Sequence, residues 1–186
     1  MKDWFEKTEL LNEYLFVDEN DFLREKCTNI HLLTELIAEG ERILWKYDEG
    51  DRFKFFGKLG NLYRIKGDLA LAIPYLEHHK HYMIQFSDEQ AILALIRYAE
   101  ALKYDRQYEE AIAHFEEALE RGRILKKDTY EHVAWQQLGK CYVEFGDMKQ
   151  AESCFLKALL LRQQMGDQKL LLATERALNF MMNIKK

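Results

Sequence analysis

The segment WQQLGKCYVEFGDMKQAESCF, Trp135 to Phe155, is echoed upstream by FGKLGNLYRIKGDLALAIPYL, Phe56 to Leu76. Leu-Gly, Tyr, Gly-Asp and Ala recur at the same offsets, with Gly60 and Gly139 separated by 79 residues. Midway lies YAEALKYDRQYEEAIAHFEEAL, where Ala99 replaces the glycine, Ala111 the later alanine and Phe115 the aromatic. Gly60, Ala99 and Gly139 are thus 39 and 40 positions apart, and Ala72, Ala111 and Ala151 keep the same intervals. A separate series, Asp88, Asp128 and Asp167, is spaced by 40 and 39. A fixed period of this length marks a chain made by stacking one supersecondary unit.

Each period reads as two helices. Trp135, Leu138, Gly139 and Tyr142 follow i, i+3, i+4, i+7, a single helical stripe. Gly146-Asp147 then supplies a left-handed cap for one helix and an N-cap for the next. Asp147 with Gln150, and Asp128 with Glu131, have capping-box spacing. Ala151, Phe155, Ala158 and Leu159 share one face of the second helix. Where two helices cross more closely than the usual separation, only Gly or Ala fits at the contact. Gly139 opposite Ala151 therefore predicts a tight antiparallel pair. A lone pair leaves an apolar face bare, so neighbours must stack on it.

Composition agrees. One proline and nine glycines in 186 residues leave few of the turns that a strand-rich fold needs, and 48% hydrophobic residues suffice for a core. A net charge of −5 argues against nucleic acid and anionic membrane surfaces as partners. No apolar run reaches a bilayer-spanning length, and MKDWFEKTELLNEY carries acids where a secretory signal would be apolar. Cys27, Cys141 and Cys154 are odd in number and without metal-like spacing. They read as reduced, half-buried thiols in a cytoplasmic protein.

The arrangement resembles the tetratricopeptide repeat family, whose signature is W-x2-L-G-x2-Y…A-x3-F…P. WQQLGKCY with Ala151 and Phe155 matches all but the final proline. FGKLGNLY with Ala72 and Leu76 follows it, as does LIRYAEAL with Ala111 and Phe115. The resemblance covers about residues 52 to 165. It departs in its longer period and in Ile84 and Gln163 at the proline position, so each second helix runs longer before turning. That variant is similar to the arrays of peptide-pheromone-controlled Rap-type bacterial regulators and of animal cell-polarity adaptors, which hold a peptide or protein segment inside the curved array. His79 stands where other units have Ala118 and Ala158 and, with Pro74, is expected to loosen or rotate its crossing.

The expected fold is all-α, a right-handed superhelical array of antiparallel helix pairs. Residues 1–50 would hold an N-terminal cap helix (3 to 17) and a degenerate repeat. In that repeat a worn helix around Asp21 to Cys27 partners HLLTELIAEGERILWKY. Three helix pairs would occupy 51–167, and 168–186 a C-terminal capping helix. That helix carries Leu171, Leu178 and Met182 on one side, with Leu170, Ala177, Phe180 and Ile184 partly on another.

In the family the first helix of each pair lines the concave groove. That implies a peptide-binding face made of Lys54, Asn61 and Arg64, then Leu93, Ile96, Glu100 and Lys103, then Val133, Gln136, Lys140 and Glu144. The amides of Asn61 and Gln136 would grip an extended backbone, and four cations against two anions suit an acidic or carboxylate-bearing segment. The carboxylate clamp of chaperone cochaperones is not expected, because Gly57 and Arg97 stand where it needs lysine and asparagine. His78 and His81 are i, i+3 on an outer helix, but two histidines without a third ligand make a poor metal site. Cys141 and Cys154 read as small core thiols rather than a redox pair. No nucleophile–base pair, phosphate loop or paired catalytic carboxylates emerge.

The implied function is a noncatalytic protein- or peptide-binding adaptor with no cofactor or metal, and a homodimer through the terminal helices is a further expectation. The alternatives are a Rap-like regulator that inhibits a signalling partner, or a small assembly or secretion chaperone.

Overall fold

The computed structural model describes residues 2–86, 89–125 and 130–184. The capping aspartates expected at Asp88 and Asp128 lie outside the described residues. The chain divides into two compact bodies, Met1–Met83 and Ile84–Lys186.

In the first body, α1 (Lys2–Glu9) runs through a 3₁₀ turn (Leu10–Tyr14) into β1 (Leu15–Asp18) and β2 (Arg24–Cys27), followed by α2 (Ile30–Leu44), α3 (Glu49–Lys66) and α4 (Leu69–Met83). Asn29 caps α2 by accepting from Leu32 N–H at 3.0 Å. Leu33, Leu36, Ile37, Gly40 and Leu44 give α2 one buried stripe. Trp4 of α1 covers that stripe, stacking on Phe55 at 4.9 Å and donating its indole N–H to Leu36 O at 2.9 Å.

Two expectations for this region are corrected. The N-terminal helix stops at Glu9 rather than reaching residue 17, and Asp21 to Cys27 form no helix. Leu15–Asp18 and Arg24–Cys27 pair as an antiparallel hairpin, with Leu15 opposite Cys27 and Asp18 opposite Arg24. Its polar turn is held by Lys26, whose Nζ lies 2.7 Å from Asp18 and 2.9 Å from Asp21. Those local ion pairs and the aromatic, β-branched run Leu15-Phe16-Val17 favour extended backbone over a short helix.

Within the α3/α4 pair, the His79 ring is accommodated at the helix contact. Gly57 stands opposite, and a Cβ there would lie 2.7 Å from the imidazole Nε2, so the missing side chain makes room for the ring. His79 Nδ1 is fixed 2.7 Å from Phe53 O. Pro74 is exposed inside α4, which continues through it.

In the second body, α5 (Glu89–Tyr104) pairs with α6 (Tyr108–Leu125), α7 (Glu131–Phe145) pairs with α8 (Met148–Met165), and α9 (Gln168–Ile184) packs on α8 and α7. The α7/α8 crossing is as tight as the repeat implies: a Cβ on Gly139 would sit 2.6 Å from the Phe155 ring. The caps also stand where the sequence puts them. Gly146 has φ +95°, Asp147 accepts from Gln150 N–H at 3.0 Å, and Asp167 accepts from Leu170 N–H at 3.0 Å. Trp135 is half-buried rather than central, with its N–H donated to Glu131 at 3.1 Å and Lys157 Nζ 3.9 Å above its ring.

Candidate peptide-binding face

The residues expected to line a groove divide by burial. On α3, Lys54 is exposed and pairs with Asp51 at 2.7 Å. Asn61 is half-buried, and its carbonyl accepts from Arg64 Nε and Nη2 at 3.1 and 2.9 Å. Arg64 is buried, and its Nη2 donates to Glu25 of β2 at 2.8 Å. In the first body, then, the acidic group that Arg64 was expected to recognise comes from the hairpin itself.

On α5 and α7, Ile96, Lys103 and Gln136 are buried and Lys140 is half-buried. Lys103 is wholly inaccessible, donating to Gln137 Oε1 at 3.2 Å with its ammonium 5.0 Å from the Tyr104 ring. Gln136 turns inward and accepts from Arg162 at 3.3 Å. The half-buried stripe instead runs through Leu93, Arg97 and Glu100 on α5, and through Val133, Gln137, Lys140 and Glu144 on α7. These follow i, i+4, i+7 on both helices, and α5 packs directly on α7. Arg97 and Gln137 were missed as lining residues. The signal was present, since Gln137 continues the Val133, Lys140, Glu144 series one step round the helix from Gln136. The face carries the cations Arg97 and Lys140 and the anions Glu100 and Glu144, so it is balanced in formal charge rather than basic.

Beneath it lies a polar junction of three helices. Arg162 of α8 is 4% exposed. Its Nε donates to His132 Nδ1 at 3.2 Å, and its Nη1 to Gln136 Oε1 at 3.3 Å, Leu170 O at 3.0 Å and Thr174 Oγ1 at 2.7 Å. Burial draws the guanidinium down to about 10. Burial and the adjacent Arg162 hold His132 below its ordinary range, which keeps Nδ1 as an acceptor. The junction fixes α9 to α7 and α8.

Burial pushes the Cys141 thiol up to about 12 and Cys154 up to about 11, so neither is a nucleophile at neutral pH, and no disulfide joins the cysteines. Among the described residues no three His, Cys, Asp or Glu side chains converge as metal ligands. No described helix is long and apolar enough to cross a membrane. On α9, Leu171 and Leu178 are half-buried and Met182 is exposed.

Family models described as tetratricopeptide repeat match residues 53–78 and 89–164. The chain belongs to the tetratricopeptide repeat family. The matched spans contain α5 through most of α8 and most of α3 and α4, the elements that carry the tight crossings. No curated protein matches the sequence. Among solved structures, this tetratricopeptide chain is similar to the apo form of RapI, with TM-score 0.66 and 18% identity over 84% of this chain and 56% of that one. It is also similar to Bacillus thuringiensis PlcR, solved in complex with the peptide PapR7 and DNA, with TM-score 0.68 and 19% identity over 79% of this chain and 54% of that one. A Podosopora anserina putative kinesin light chain with nearly identical TPR-like repeats gives TM-score 0.68 and 13% identity, covering 97% and 86%. The repeats here therefore span little more than half the length of RapI and PlcR.

Proposed function

We propose that the protein is a noncatalytic scaffold that holds an extended peptide or protein segment on the α5/α7 face. The observation that carries this reading is the paired half-buried stripe, Leu93-Arg97-Glu100 beside Val133-Gln137-Lys140-Glu144. Leu93 and Val133 offer apolar anchors, Gln137 an amide for an extended backbone, and the four charges polar contacts of both signs. Ile96, Lys103 and Gln136 lie beneath as a packed floor. The acidic ligand expected from a basic groove gives way to one of mixed charge, because Arg64 is answered by Glu25 and Lys103 is enclosed. A relative solved with a bound peptide, PlcR, supports this class of ligand. A second form of the same reading is a Rap-like regulator, in which the held segment belongs to a signalling protein that is thereby inhibited; the likeness to RapI supports the fold for it. Three buried thiols without a disulfide suit the cytoplasm.

The test is to select binders from a random linear-peptide display and measure the best by fluorescence anisotropy. Arg97→Glu with Lys140→Glu should weaken binding at least tenfold while leaving the helical CD signal intact. Equal binding by a folded double variant would move the site off this face.

A further inference from the structure

Lys103, near the end of α5, is fully enclosed, and its Nζ donates to Oε1 of Gln137 on α7 at 3.2 Å. An ammonium has three donors and no acceptor, so the atom of Gln137 that meets it is the carbonyl oxygen. The amide cannot turn over without setting N–H against N–H. Oxygen and nitrogen of a carboxamide diverge from one carbon, so with Oε1 drawn inward the two N–H groups of Nε2 are left on the outer side. The exposures agree, Gln137 being half-buried above an inaccessible Lys103. Among the described residues the Gln137 side chain makes no second hydrogen bond. Arg97 stands 40 residues earlier, at the place on α5 that Gln137 holds on α7, and a guanidinium also only donates.

We infer that Lys103 is a positioning residue for the binding face, and that it fixes Gln137 as a hydrogen-bond donor to a backbone carbonyl of the bound segment. This rests on the α5/α7 face being the site. A carbonyl is the acceptor that fits, because every residue of an extended segment offers one whatever its side chain. The face is already balanced between Arg97 and Lys140 on one hand and Glu100 and Glu144 on the other, so a neutral donor adds no demand for charge. Accepting from a cation at Oε1 also polarises the amide and strengthens its N–H groups as donors. The recognition is one of polarity. A segment that brings an N–H or an ammonium to this point leaves both partners unsatisfied and binds more weakly.

The probe is the tightest peptide from the linear display, measured by fluorescence anisotropy against Gln137→Glu. The carboxylate of that variant still accepts from Lys103, so CD and Tm should hold, but both N–H donors are gone. Affinity should fall at least tenfold, and the loss should persist at about 0.5 M salt, where an effect of the added charge alone would be screened. Lys103→Met keeps the buried stem and frees the amide to turn. It should weaken binding severalfold in the parent and not at all in the Gln137→Glu background, a coupling that a purely structural lysine would not produce. Should Lys103→Met fail to fold, Gln137→Glu decides the matter. The peptide with every Asp and Glu changed to its amide should keep the tenfold ratio between parent and Gln137→Glu. A ratio that collapses to one would make the acceptor a side-chain carboxylate and overturn the inference. So would a Gln137→Glu variant that binds like the parent while Arg97→Glu with Lys140→Glu binds weakly, which would keep the face and remove the donor. If all these variants bound as the parent does, the site would lie elsewhere and the proposed function would fall with the inference.

Discussion

Arg162→Ala is expected to detach α9 before it disturbs any other helix. The guanidinium is buried, no carboxylate among the described residues is hydrogen-bonded to it, and its described hydrogen bonds end on His132, Gln136, Leu170 and Thr174. Removing it strands the acceptors His132 Nδ1 and Gln136 Oε1, at roughly 1–3 kcal/mol for each buried group left unsatisfied. Two effects limit that loss. The buried arginine no longer has to be desolvated, a cost of several kcal/mol in its own right, and Thr174 can still donate to Leu170 O, 3.3 Å away. The balance is a destabilisation of about 2–4 kcal/mol, or a fall in Tm of about 5–15 °C for a chain of this size. Hydrogen exchange gives the sharper readout, because the bonds from Arg162 to Leu170 O and Thr174 Oγ1 tie α9 to α8. Amides of Gln168–Ile184 should lose protection well before those of α5 and α6. An unchanged Tm with α9 still protected would show that apolar packing alone seats the helix.

The same junction sets a pH dependence. His132 is held below its unfolded value of 6.5, so the unfolded chain takes the proton first as pH falls. Its contribution is therefore intact above about pH 6.5 and lost below it, as the imidazolium meets Arg162; melts from pH 7.5 to 5.5 should show the decline, and His132→Gln should flatten it. Gly57→Ala should destabilise the α3/α4 pair by about 1–3 kcal/mol, and by much less in a His79→Ala background, in a double-mutant cycle followed by urea titration. Trp135→Ala should cost less than the roughly 3–5 kcal/mol of a fully enclosed tryptophan, since the ring is half-buried under Lys157; a larger loss in the melt would refute that placement. Cys141 and Cys154 should resist a thiol reagent at pH 8 in the folded protein and react on denaturation.

The repeat was legible because its defining residues do one job at each recurrence. Gly139 and Phe155 must touch, as must Gly60 and Leu76, and contacts of that kind leave small and large residues at fixed offsets. Glycine–aspartate turns marked the helix ends for the same reason. The hairpin was not legible. Phe16-Val17 and Lys26-Cys27 are too short for a period to show, and the ion pairs of Lys26 with Asp18 and Asp21 depend on a turn already formed. On α7 Val133, Lys140 and Glu144 do share one half-buried stripe while Gln136 turns inward, and on α5 Ile96 and Lys103 are buried. Gln136 and Lys103 are polar and fall at helical spacing, so they look solvent-facing. Their burial depends on groups remote in sequence, Arg162 for Gln136 and Gln137 for Lys103. Arg64 was misplaced in the same way, since Glu25 belongs to a hairpin that the pattern did not announce.

The most direct test of the central claim is an NMR titration of the isotope-labelled protein with a display-selected peptide. Shift changes should concentrate on Leu93, Arg97, Val133, Gln137 and Lys140, and leave the exposed α8 residues Leu156 and Leu160 unmoved. Saturable binding whose shift changes cluster on α8 or on the outer side of α9, with α5 and α7 silent, would contradict the account.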